Sequence, residues 1–229
     1  VPCHNEASNV RRVVDGLREM YDDYLREIIL VDDNSRDTTR QVIEALSRDD
    51  ARIKPIFRAP PSGVGRAIRD GIQVATGEFV LSMDCDFQHL LPEFRDLFDA
   101  AAEGYDAVYG SRFSSESLLR GYAFPKLVAN RLFHALTSCL LRRRVRDCTN
   151  NLKLLRREVV TRLTLTQPGF GVNAQTGLQP LRLGFRVKEV PISWINRSAD
   201  MGTSSFRLLR VGKGYCQALF QGWQIGKRA

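Results

Sequence analysis

EIILVDDNSRDTTRQVIEAL, residues 27–46, reads as one unit: an apolar run over 28–31 that ends in two acids, a polar turn, and then Val42, Ile43 and Leu46 at helical spacing. A short apolar run bounded by turn residues is the pattern of a strand covered on both faces, and the longer period after it is that of an amphipathic helix. The unit recurs. RIKPIF (52–57) leads through a Pro/Gly loop (60–65) into a helix over about 64–75, EFVLSMD (78–84) leads to a helix opening at Pro92, and YDAVYGS (105–111) follows. Upstream, Val10, Val13, Val14, Leu17 and Met20 mark a helix over 8–20 with Ser8 or Asn9 as its cap. Strands alternating with helices predict an α/β fold, a Rossmann-like and mostly parallel sheet with helices on both faces. Ligands bind such sheets beyond the carboxyl ends of the strands, so the loops after Val31, Phe57, Met83 and Tyr109 should face one crevice.

With 229 residues, 43% of them hydrophobic and 26% charged, the chain is an ordinary globular one, which excludes disorder, collagen-like repeats and a disulfide-stapled miniprotein. Cys3, Cys85, Cys139, Cys148 and Cys216 are odd in number and widely spaced, matching neither a zinc motif nor a disulfide framework, and point to a reducing compartment. No apolar run approaches the roughly 20 residues that cross a bilayer, and no signal-peptide pattern opens the chain. It is expected to be soluble or peripheral. Val1-Pro2 reads as the end of a truncated strand, and no linker divides residues 1–229, so one domain is expected. Charge is uneven: residues 1–111 hold 13 Lys+Arg against 21 Asp+Glu, net −8, and residues 112–229 hold 21 against 5, net +16. An acidic half suits a cation, and a basic half suits phosphates, nucleic acid or an anionic membrane.

In LSMDCDFQH (81–89), extended geometry would put Asp84 and Asp86 on one side, with Gln88 next if the strand persists. Oxygen donors of this kind suit Mg²⁺ or Mn²⁺, with His89 a softer neighbour; a solvated acidic turn is the plain alternative. In VDDNSRDTT (31–39), Asp32 or Asp33 can accept hydrogen bonds from a base or ribose, and Asp37 suits a helix cap. PCHNEASN (2–9) puts Pro2, Asn5 and Glu6 at the mouth of the first strand, where Glu6 equally favours a helix N-terminus. No G-x-G-x-x-G follows the first strand and no G-x-x-x-x-G-K-[ST] occurs, so dinucleotide and P-loop readings lack their phosphate-cradling turns.

Together with RAPPSGVGRAI (58–68) and YGSR (109–112), these segments resemble the family-2 inverting glycosyltransferases of GT-A fold, closest to the dolichyl-phosphate mannose synthase group. The resemblance runs from Pro2 to about Ser205. It implies a metal-dependent hexosyltransferase with an acidic half for the nucleotide-diphospho-sugar and metal and a basic half for a polyprenyl (dolichyl-type) phosphate. By the same resemblance Pro2, Asn5, Glu6, Asp32, Asp33, Arg58 and Gly65 bind the donor, and Asp84, Asp86 and Gln88 hold the Mg²⁺ or Mn²⁺. Arg112, Lys126 and Asn130 would meet the acceptor phosphate, Arg112 in a bidentate manner. Arg197 and Ser204 match a late segment that closes over the donor, and Ser205 its acceptor side. Asp84, Asp86, Arg112 and Asp147 form the implied catalytic set. The sequence departs from the family pattern at Asn150 and Asn151, which replace a small pair, and at Gln175, where many relatives carry an acid.

A sugar hydroxyl needs a base to remove its proton, whereas a phosphate monoester is already ionised. Asp147 is the obvious base in the basic half. A saccharide-hydroxyl acceptor and a non-catalytic nucleotide-sugar or membrane-surface module therefore stay open, while nucleic-acid binding is disfavoured because the basic residues lack the motifs of such modules. Leu127, Val128, Leu132, Phe133, Leu136, Leu140 and Leu141, followed by Arg142, Arg143 and Arg144, form either a membrane-surface helix or a core helix. Residues 206–223 are a weaker candidate of the same type. A lipid acceptor implies a cytoplasmic protein peripheral at the cytoplasmic face of a membrane. Gly-rich residues 169–177 read as a loop, and His4 and His134 as structural.

Overall fold

The computed structural model describes residues 1–196 and 208–225. Strands β1 (Pro2–Cys3), β2 (Ile28–Asp32) and β3 (Ile53–Phe57) form a parallel sheet with Pro2 opposite Val31 and Asp32 opposite Phe57. A second sheet contains β4 (Phe79–Ser82), β5 (Ala107–Ser111), β7 (Lys153–Arg156) and β8 (Val187–Pro191) in the order β4-β7-β5-β8. β5 and β8 are parallel, and β7 runs against both β4 and β5. The short strands β6 (Leu119–Arg120) and β9 (Trp194–Ile195) pair with each other.

The antiparallel β7 is the departure from the expected run of parallel strands. Leu154 and Leu155 are both buried, as a central strand requires, and they enter two different apolar clusters. β7 and β8 come from the basic half and β4 and β5 from the acidic half, so one sheet joins the two.

Helices α1 (Ala7–Tyr21), α2 (Thr39–Asp49), α3 (Val64–Val74) and α4 (Arg95–Ala102) follow the predicted apolar periods. Val10, Val13, Leu17, Ile43 and Leu97 pack from α1, α2 and α4 onto Leu30 and Leu154, each buried side chain contributing on the order of 1.5–3 kcal/mol. α1 starts earlier than its expected cap: Ser8 and Asn9 lie inside it, and the Asn9 amide turns back to the Glu6 carboxylate at 2.6 Å. A cavity of about 620 Å³ between β2, α3 and β4 is lined by Ile28, Val31, Ile68, Phe79 and Ser82.

α5 (Phe124–Leu141), α6 (Arg157–Thr161), α7 (Gly171–Arg182) and α8 (Leu208–Ile225) complete the described elements. The expected loop at 169–177 is mostly α7. Glycine's poor helix propensity is overridden by packing, because α7 is buried along nearly its whole length and Gly177 lies where a Cβ would stand 2.0 Å from the Cys148 carbonyl oxygen. On α5 every exposed residue is apolar or a thiol: Phe124, Pro125, Val128, Leu132, Ala135, Leu136, Cys139 and Leu140. No helix among the described residues is long and apolar enough to cross a membrane.

Candidate active site

The loops after β1 and β2 are tied to each other. The Asn5 N–H donates to Ser35 Oγ at 2.9 Å, the Arg36 N–H to Asn5 Oδ1 at 2.8 Å, and the Glu6 N–H to Thr39 Oγ1 at 2.8 Å. Asn5 adopts φ +56°, a left-handed conformation that Asn tolerates because its short amide bonds locally. Asp37 accepts the Thr39 N–H at 3.0 Å from one residue before Thr38, which holds the cap position of α2 in place of the expected Asp37. Asp32 accepts the Ser35 N–H at 3.1 Å, and Pro2 is held in β1.

Asp33 gathers the next loop. Its Oδ1 accepts from Arg58, its Oδ2 accepts the Gly63 N–H at 2.6 Å, and Arg58 Nε also reaches Asp70 at 2.6 Å. Gly65 donates its N–H to the Pro168 carbonyl at 3.0 Å, and a Cβ on Gly65 would stand 2.2 Å from the Gln167 carbonyl oxygen. The candidate donor residues therefore share one edge beyond β1, β2 and β3. Both Asp33 oxygens are spent on protein partners, so its contribution is to shape that edge.

The chain bends after β4. Extended geometry ends at Ser82, and Phe87 sits at φ +52°, an outlier for a bulky residue and worth roughly 1–3 kcal/mol of strain. Alternation therefore does not carry through to Gln88, whose backbone carbonyl accepts the Ile195 N–H at 2.8 Å. The Asn151 amide donates to Asp84 Oδ1 at 2.8 Å while accepting from Ser82 Oγ at 2.7 Å, and Asp86 Oδ1 accepts the Gln88 N–H at 3.2 Å. Among the described residues no three His, Cys, Asp or Glu side chains gather at metal-binding spacing. Asp84 and Asp86 form a pair that an amide would have to complete. His89 is buried in a bridge to Trp194, and burial followed by the Arg112 charge pushes its imidazole down to about 4.

Across from this turn lies Arg112, just past β5. Its Nε and Nη2 donate to Asp147 Oδ2 and Oδ1 at 2.7 and 2.9 Å. Phe113 and Tyr122 rings lie 5.6 and 5.9 Å from the guanidinium carbon. Burial would raise the Asp147 carboxyl, but the Arg112 charge and hydrogen bonds override it and hold that group well below the usual carboxylate range. This corrects two expectations. Asp147 is a counter-ion with little basicity, and one two-donor edge of Arg112 is taken before any phosphate arrives.

Lys126 Nζ lies 4.7 Å from the Tyr122 ring centre and 5.4 Å from that of Trp194. Burial and the Arg112 charge push its ammonium down to about 8, against the opposing charges of Asp84, Asp86 and Asp147. Lys126 and Arg112 thus lie against the same Tyr122 ring, with the charges of the acidic turn acting on the ammonium. Asn130 is committed to the protein, donating to Thr149 Oγ1 at 3.1 Å and accepting from Arg131 at 2.8 Å, which corrects its reading as an acceptor ligand. Arg197, Ser204 and Ser205 lie outside the described residues.

The departures from the family pattern have local roles. Asn150 donates to the Gly110 carbonyl at 2.8 Å, and Asn151 orients Asp84. Gln175 braces the turn under the donor loop by accepting the Thr166 and Gln167 N–H groups at 3.0 Å each. His134 is structural as expected: its Nε2 accepts the Cys148 N–H at 3.0 Å. Sequence reasoning missed Lys153, wholly buried, whose Nζ donates to the Asn150 carbonyl and to that of Asn173 at 3.1 Å. A lone lysine inside NLKLL was the available signal.

The sequence model of "Glycosyl transferase family 2" matches residues 1–164. The chain is 27% identical to the glycosyltransferase AglJ of Haloferax volcanii, over 89% of this chain and 64% of that protein. It is also 27% identical to polyprenol monophosphomannose synthase of Mycolicibacterium smegmatis, over 100% of this chain and 86% of that protein. Among solved structures, glucosyl-3-phosphoglycerate synthase from Mycobacterium tuberculosis, in complex with Mn²⁺, uridine diphosphate and phosphoglyceric acid, superposes with a TM-score of 0.71 at 21% identity, covering 97% of this chain and 76% of that one. That likeness carries the fold, which is of GT-A type, as the family resemblance implied. The chain belongs to glycosyl transferase family 2 and is a glycosyltransferase.

Proposed function

We propose that the chain moves a hexose from a nucleotide-diphospho-sugar to a polyprenyl (dolichyl-type) phosphate at the cytoplasmic face of a membrane, with inversion at the anomeric carbon. The observation that carries this reading is that Lys126 and Arg112 share the Tyr122 ring, at 4.7 and 5.9 Å from its centre, with Asp84 and Asp86 near enough for their charges to act on the Lys126 ammonium. Acidic and basic halves meet there, at the carboxyl ends of β4 and β5. The name of the Mycolicibacterium relative supports a polyprenyl phosphate as acceptor.

Asp84 and Asp86 are hard oxygen donors that fit Mg²⁺ or Mn²⁺, the Asn151 amide holds Asp84, and Gln88 would have to turn its side-chain oxygen toward them past the bend at Phe87 to join the set. When bound there, the cation supplies Lewis-acid stabilisation of the departing nucleotide diphosphate. In the transfer the bond from the anomeric carbon to the diphosphate breaks, its electron pair leaving with the nucleotide. An anionic oxygen of the acceptor phosphate forms the new bond from the opposite face. No proton has to be removed, which agrees with an Asp147 stripped of basicity by Arg112. Lys126 offers its ammonium to the incoming phosphate, and Arg112, fixed by Asp147, adds positive charge beside it.

A hydroxyl acceptor would want a carboxylate base, and Asp147 is spent as a counter-ion. The test is an assay with a panel of radiolabelled sugar nucleotides, with and without added polyprenyl phosphate. A lipid-soluble, acid-labile product that needs the lipid and disappears in EDTA or on Asp86→Ala is expected. Transfer only to soluble saccharides, or donor binding without turnover, would replace this reading with one of its rivals.

A further inference from the structure

α5 is inside out. A helix packed on a sheet turns apolar residues inward and polar ones outward, yet here Phe124, Val128, Leu132, Leu136 and Leu140 are 40–74% exposed. The inner side packs Phe133 and Leu141 against the core and carries polar groups beside them. Asn130 bonds Thr149, Arg131 bonds the Arg146 carbonyl, and His134 and Thr137 are buried. A contiguous array of large exposed apolar side chains marks a contact surface. α8 extends it: Phe220 and Trp223 are exposed, and Trp223 lines the same shallow notch as Leu140.

The charges choose the occupant. Neither α5 nor α8 contains an Asp or Glu, and exposed Arg142, Arg143 and Arg144 follow α5 directly. An apolar centre with a cationic rim complements anionic head groups over acyl chains. A second copy of this chain would bring like charges together. We infer that α5 lies flat in the interface of an anionic bilayer, its outer face in the acyl boundary and its inner face, with Lys126, turned to the acceptor site. The link to Lys126 rests on the lipid-phosphate reading above; the docking itself does not.

The test is flotation of the chain with vesicles of phosphatidylcholine alone and of an equal mixture with phosphatidylglycerol. Strong binding to the mixed vesicles and weak binding to the neutral ones is expected. Leu132→Asp with Leu136→Asp should cut that binding by more than about tenfold, and Arg142→Gln with Arg144→Gln should remove the preference for anionic lipid. Circular dichroism and melting curves check that the variants fold, as their exposed positions allow. Unchanged flotation of the Leu variants overturns the proposal, as does a wild type that ignores vesicles and instead dimerises through Leu132 and Leu136 in sedimentation. Transfer to a short, water-soluble isoprenyl phosphate should survive in the Leu variants. If the wild type floats but glycosylates no lipid phosphate, the docking stands and the acceptor assignment falls.

Discussion

Arg112 and Asp147 form a buried two-point ion pair, with Nε–Oδ2 and Nη2–Oδ1 distances of 2.7 and 2.9 Å and the Arg112 backbone N–H adding a third contact to the carboxylate at 3.1 Å. Removing one partner strands a buried charge. Asp147→Ala should cost about 3–5 kcal/mol in urea unfolding. Arg112→Met with Asp147→Leu should regain most of that stability while transfer stays lost, because charge beside the acceptor is gone. A double variant that folds well and works normally would remove the pair from the reaction.

Asn151 donates to Asp84 at 2.8 Å and accepts from Ser82 at 2.7 Å, both on the acidic side of the site. Asn151→Ala should therefore raise the metal concentration for half-maximal rate by roughly 10–100-fold, the usual penalty for losing a partner that orients a metal ligand. Titrating Mn²⁺ into the chelated enzyme measures it. An unchanged midpoint would leave Asp84 outside the metal site.

Gly65 presses on the backbone of the turn over 167–169, where a Cβ would meet carbonyl oxygens at 2.2 and 2.7 Å. Gly65→Ala should force that turn away from the donor loop, destabilise by about 1–3 kcal/mol and raise the KM for the nucleotide sugar more than it lowers kcat. Thermal melts and donor kinetics read the two effects separately.

His134 is held neutral mainly by burial, at about 4 against an ordinary value of 6.5. The unfolded chain therefore takes up a proton between these values that the folded chain does not. Stability should be whole above pH 6.5 and fall as the pH drops toward 4, by about 3 kcal/mol from this group. His89, shifted the same way, steepens the loss, and Asp147 adds to it below about pH 3.8. His134→Gln should flatten the slope of unfolding free energy over pH 4–6.5.

The βα units were readable because burial writes a period into the chain: Ile28, Leu30 and Val31 of β2 and Val13, Val14 and Leu17 of α1 are buried where the pattern put them. Direction is not written that way. Nothing in LKLLR says that β7 runs against its neighbours, since that is set by partners distant in sequence. α7 escaped for the opposite reason, its glycines being chosen for close approach to Cys148 and Gln167 rather than for a turn. At the site, Asp84 and Asp86 were legible as oxygen donors from spacing. The fate of Asp147 was not, because a lone acid carries no sign of the arginine that neutralises it, 35 residues earlier. The apolar stripe of α5 was equally visible, but periodicity reports that a face exists and not what lies against it.

β7 also works as a ruler. Standing between β4 and β5, it keeps the strand that ends near Asp84 two interstrand spacings, roughly 9–10 Å, from the strand that ends near Arg112. Hydrogen-bonded ladders do not stretch, so in the function proposed above the distance from donor side to acceptor side is set by the sheet and not by the helices and loops around it.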